Sequence, residues 1–179
     1  MANSTILRRP AKLTHSASLS TASTVEFTDL STAYSMYKIV LTNIDKSSDG
    51  ELELRTSTDN GSNYDAGASD YAWARTGITD SGAFGPSADS SDLWITLFDQ
   101  SGGSGTDENM SGVVYLYRPQ DTKYTRIVGR FQGTDTGGDI FNKSVVGARL
   151  TAADVDAIQI LPSSGTITGE IRVYGYKDA

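Results

Sequence analysis

The one histidine of the chain, His15, stands in the polar stretch "LTHSASLS". A Ser-His-acid triad needs its imidazole held in a packed pocket between nucleophile and carboxylate. A serine-rich stretch near the chain start offers no such pocket, so His15 reads as an incidental polar residue. Asp59, Gly61, Asn63 and Asp65 alternate in "TDNGSNYDAG", the odd-position spacing of oxygen ligands in calcium loops. No bidentate glutamate stands at the twelfth place, and Asp and Asn-Gly are equally what a tight turn wants. The turn is the preferred reading. "SGGSGT" lacks the Gly-Lys-Ser/Thr ending of a phosphate loop and precedes no helical pattern. Glu51 and Glu53 could pair for glycoside hydrolysis, but on an alternating strand with Arg55 they read as charge on a wet face. Cysteine is absent, which removes thiol nucleophiles, disulfides and zinc-thiolate sites. The expectation is a protein without catalytic centre, metal or cofactor.

Aromatic residues offer a different chemistry. Tyr64, Tyr71, Trp73 and Trp94 could supply a flat apolar platform for a sugar ring, with Tyr71 and Trp73 the candidates. Trp94 reads as core, and a core place is also the preferred reading of Trp73.

Charge separates the chain into two parts. Residues 1–25 hold Arg8, Arg9 and Lys12 and no acid, so this segment is +3 and the remainder of a chain formally at −7 carries −10. Such an acidic body repels phosphate backbones, which argues against nucleic acid as the main partner. No apolar run approaches the ~20 residues of a membrane-spanning helix, and the segment after Arg8 and Arg9 is too polar for a secretory signal. The first 22 residues therefore read as an extended basic arm. Ile6, Leu7 and Leu13 are its apolar anchors, Arg8, Arg9 and Lys12 its charges, and Pro10 keeps it extended. It is expected to leave its own domain and dock on a neighbouring subunit.

The elements that must position these residues are strands. Val25 and Phe27, then Tyr37, Ile39 and Leu41, then Leu52 and Leu54, alternate with polar neighbours. Asn60-Gly61 supplies the positive φ angles of a tight turn. "YAWAR" is a short strand, and residues 76–92 have no clear period and read as a long loop. "LWITLF" and "MSGVVYLY" are apolar on both faces and belong at the centre of a sheet. Two later strands and a closing hairpin of Ile158–Leu161 with Ile167–Val173 bring the count to about ten. "LTAADVDA" could make one helical turn with Thr151 as its cap. Many short strands without helical pattern predict an all-β fold, a single-domain jelly-roll-like β-sandwich over residues 23–179 behind the arm.

Certain of these residues carry a resemblance. Tyr34 and Tyr37, then Arg55 with Asp59, Asn60, Gly61 and Ser62, then Ile158, Ile160, Ser163, Ser164, Gly165, Tyr174 and Gly175, form a pattern similar to a family of tailed-bacteriophage virion proteins. The match covers the first third and last eighth of the chain, and its motifs are turn and packing residues. The resemblance implies a jelly-roll virion component, either a capsid decoration (cement) protein or a tail-fibre module with sugar affinity. It further implies the major capsid protein and sister copies, as a homotrimer, for partners, and the capsid surface for location.

Overall fold

Alternation of apolar and polar side chains becomes twelve strands in a computed structural model that describes residues 11–82, 85–99 and 104–177. They are β1 (Lys12–Ala22), β2 (Val25–Phe27), β3 (Met36–Lys46), β4 (Leu52–Ser57), β5 (Tyr71–Thr79), β6 (Ser87–Asp92), β7 (Ile95–Phe98), β8 (Met110–Tyr117), β9 (Arg126–Thr134), β10 (Ile140–Arg149), β11 (Ala157–Pro162) and β12 (Ile167–Tyr176). No helix occurs among the described residues. The turn expected at Thr151 stays irregular, tied instead by Val155 N–H to the Pro119 carbonyl.

Eight strands form one antiparallel sheet in the order β1-β12-β3-β8-β9-β10-β5-β6, and four form the second, β2-β11-β4-β7. The chain crosses between the sheets repeatedly, which makes a jelly-roll-like β-sandwich. Ile39, Leu41, Val114, Ile127, Phe131 and Val173 from the large sheet meet Leu52, Leu54, Ile95, Phe98, Ile158 and Ile160 from the small one, all buried. Gly147 faces this core, where a Cβ would lie 2.6 Å from Ile95; the missing side chain lets β7 approach β10.

Four expectations need correction. The arm does not extend to residue 22: β1 from Lys12 onward pairs antiparallel with β12, and Ala17, Leu19 and Ala22 pack on the core. Its serines and threonines hid the strand, since a sheet-edge strand needs few apolar residues. The loop at 76–92 contains the end of β5 and all of β6, which pairs through Ala74↔Ala88 and Arg75↔Ser87. The closing pair is no hairpin, because β11 belongs to the small sheet and β12 to the large one. Each is interior to its sheet, and the Ser163-Ser164-Gly165 corner joins them. Finally, β7 is a sheet edge rather than a centre; its residues are buried because the overhanging β5 and β10 cover it.

Candidate functional site

The residues of the resemblance pack against one another. Tyr34 and Tyr37 meet edge-on at 5.7 Å, and Tyr37 donates its hydroxyl to the Ser31 carbonyl at 2.8 Å. The Tyr34 ring lies where a Cβ on Gly175 would sit. Asn60 and Gly61 have φ of 56° and 82°, as an Asn-Gly turn requires. The turn is fastened by Asp29 N–H to Asn60 Oδ1 at 2.7 Å and Asn60 N–H to Asp156 at 2.8 Å. Asp59 accepts from Asn63 N–H, Asn63 Nδ2 and the Ser57 hydroxyl, so its carboxylate organises the turn. Among the described residues no cluster of three or more acidic, histidine or cysteine side chains could hold a metal ion.

The proposed sugar platform is absent at its expected place. Tyr71 is fully buried; its hydroxyl accepts from Thr56 N–H at 2.8 Å and donates to the Asp65 carbonyl at 3.2 Å. Burial raises that phenol to about 12. Trp73 is buried as well, with its indole N–H donated to Asp92 at 2.8 Å and the Arg75 guanidinium 4.8 Å above its ring. Both rings point inward because Tyr71, Trp73 and Arg75 share the face of β5 that meets the small sheet. Trp94, expected in the core, is half-buried beside the start of β7 with the Arg55 guanidinium 5.4 Å from its ring.

Glu53 is not on a wet face. It is 2 % exposed, with Oε1 lacking a hydrogen-bond partner among the described residues. Burial pushes its carboxyl up to about 7 against the opposing pull of Arg55. Glu51 instead helps tie the sheets together. Arg75 lies 3.9 Å from Glu51 and 3.8 Å from Asp99, and Lys143 donates to Asp99 at 2.8 Å. His15 accepts or donates one bond with Thr14 and sits edge-on to Phe27 at 5.9 Å.

Of the expected partner-binding residues, Ile6, Leu7, Arg8 and Arg9 lie outside the described residues. Lys12 and Leu13 open strand β1 with exposed side chains, their backbones registered against Gly175 and Tyr174.

The surface that remains is the outer face of the large sheet. Registered partners run across it from Tyr174 through Lys38, Tyr115, Val128 and Val146 to Ala74. Val128 is 44 % and Val146 50 % exposed, although buried side chains surround them on the opposite face. A shallow groove of ≈ 370 Å³ passes over Val113, Tyr115, Val128 and Val146, and a second of ≈ 690 Å³ over Ala72, Ala74, Ala88 and Ala148. Tyr117 stacks beside Tyr115 at 6.3 Å. Arg126, Arg130 and Arg172 flank the apolar row, with Arg130 held to Asn142 at 2.9 Å and Arg172 to Glu170 at 2.7 Å. The signal was present in "MSGVVYLY", whose apolar residues on both faces suggested burial on both; one face is core and the other is open.

Fold and surface together define a class: a β-sandwich with a broad apolar and cationic sheet face. No protein-family model matches the chain, and no curated protein does. Among solved structures it resembles a toad ovary galectin in complex with thio-digalactose, at 12 % identity and TM-score 0.36 over 85 % of this chain and 98 % of that one. A tetrameric galectin from the ball sponge Cinachyrella sp. matches at 9 % identity and TM-score 0.34, over 86 % and 99 % of the two chains. Strand pairing defines the fold, and likenesses this distant add nothing about ligand or partner.

Proposed function

We propose that this chain is a structural, non-enzymatic module of a tailed-phage virion, a capsid decoration protein that sits on the outer shell and bridges neighbouring subunits. The observation that carries the docking role is the open outer face of the large sheet. Soluble monomers rarely leave contiguous apolar patches of more than a few hundred Å² uncovered. The virion setting rests on the residue resemblance, whose motif positions are packing and turn residues. Virion proteins of that kind work by shape and number rather than by chemistry. Quantitative mass spectrometry of purified particles tests the role through copy number relative to the major capsid protein. Copies in the hundreds are expected; a dozen or fewer would place the chain in the tail, and none would remove it from the virion.

A tail-fibre module with sugar affinity is the second reading. One observation favours it: half-buried Trp94 lies under Arg55, whose backbone is registered against Gln159, the amide of which donates to Glu26 at 2.8 Å. Ring, guanidinium and amide are the groups a sugar uses.

A further inference from the structure

We infer that the outer face of the eight-stranded sheet receives the acidic loop end of a second copy of this chain. The inference rests on the docking role proposed above and names the occupant of that same face.

Charge distribution carries it. In the rows from β12 to β5 the face presents Lys38, Arg126, Arg130 and Arg172 against the carboxylates of Glu170 and Asp45. The face is thus +2 in a chain of formal charge −7, which leaves −9 for all the rest. A cationic face around an apolar row selects a partner with carboxylates around an apolar contact.

The same chain offers that surface. The described residues that follow β5, precede β8 and join β9 to β10 lie at one end of the large sheet, since β8, β9, β10 and β5 are consecutive neighbours. They carry Asp80, Asp107, Glu108, Asp135 and Asp139, and no lysine or arginine. Asp135 accepts the Gly137 and Asp139 N–H groups within its own turn, and Asp80 accepts Ile140 N–H at the start of β10. Ile140, at 64 % the most exposed large apolar side chain described, stands at the rim of this end. A face-to-face pair would set the four cations against their own copies. Face against end brings opposite signs together, a head-to-tail contact that closes into a ring or extends into a chain. Polyanions such as nucleic acid fit the four cations but not the apolar row, and the acidic remainder repels them.

Sedimentation velocity on the full chain tests the contact. Self-association is expected, weakening at least about tenfold as salt screens the charges. Two double variants sharpen the test: Arg126→Glu with Arg130→Glu on the face, and Asp107→Lys with Asp139→Lys on the end. Each alone should sediment as a monomer, and an equimolar mixture should recover association, because each reversed surface meets its complement. Unchanged far-ultraviolet spectra exclude misfolding of these surface variants. An end variant that still self-associates would mean face-to-face pairing and overturn the inference. So would a wild-type chain that stays monomeric at roughly 100 μM. Particle occupancy separates this failure from that of the docking role. If a monomeric chain still binds particles and Val128→Asp abolishes binding, the face docks on another protein and only its occupant was misassigned.

Discussion

Glu53 shows what a single position in this fold can do. Its carboxyl is raised from 4.5 to about 7 by burial, so the folded state holds a proton that the unfolded chain releases above 4.5. Between those values the native state binds more protons than the unfolded one, and stability falls as pH rises from 4.5 through 7. Below 4.5 both states are protonated and the group contributes no slope. The full penalty above pH 7 is on the order of 3 kcal/mol. Urea unfolding should give a higher midpoint at pH 5 than at pH 8, and Glu53→Gln should abolish most of that difference. An unchanged pH profile in the variant would show that Glu53 is solvated. Lys46 has the mirror-image behaviour: burial lowers it to about 8, so its desolvation cost is present below pH 8 and relieved between 8 and 10.5. The alternation of Glu53 with Arg55 places these two on one face of β4, whereas Glu51 stands just before the strand and pairs with Arg75. Alternation could not say that neighbouring side chains close over that face.

At the scale of elements, β1 alters what the N-terminal segment does. Its register with β12 runs from Lys12↔Gly175 to Ala22↔Ile167, and Thr14 donates its hydroxyl to the Val173 carbonyl at 3.0 Å. Residues 12–22 are thus a sheet edge that covers β12, not a strap free to leave. Deleting them would uncover the backbone edge of β12 and the contacts of Ala17, Leu19 and Ala22. The expected loss is at least about 2 kcal/mol, from partial burial of one leucine and two alanines plus the ladder. Aggregation should follow from the bare edge. Chemical denaturation with light scattering measures both, and a soluble truncated protein with an unshifted midpoint would contradict this account. Bulges between Leu13 and His15 and between Leu19 and Ala22 twist the β1 edge, one way such edges resist adding further strands.

Across the whole molecule one core joins the two sheets, with the Phe98 and Phe141 rings 4.6 Å apart and tilted by 34° across the interface. The ion pairs of Arg75, Lys143, Glu51 and Asp99 close the β7 side. Neither sheet can bury its inner face alone, so they should unfold together. Trp73 reports on β5 and Trp94 on the approach to β7. Tryptophan fluorescence and far-ultraviolet dichroism should therefore trace a single coincident transition in urea. Separate midpoints would mean that the sheets are independent units.

The sequence by itself determined the class of fold, because period-two alternation and turn residues are local properties of the chain. Ile39, Leu41, Leu52, Leu54, Ile171 and Val173 are inward as their alternation demands, and Asn60-Gly61 turns where it should. It also determined that Asp59 belongs to a turn, where it accepts from Ser57 and Asn63. Tertiary structure decided which strands share a sheet, and with that the fate of every ambiguous side chain. Strand β1 is held by the backbone of β12, which no side-chain pattern in "KLTHSASLSTA" records. Tyr71 and Trp73 are core because β5 overlies the small sheet, while Val128 and Val146 are exposed because nothing in the chain covers the other side. A residue's alternation says which neighbours share its face; only the packing of sheet on sheet says which face meets water.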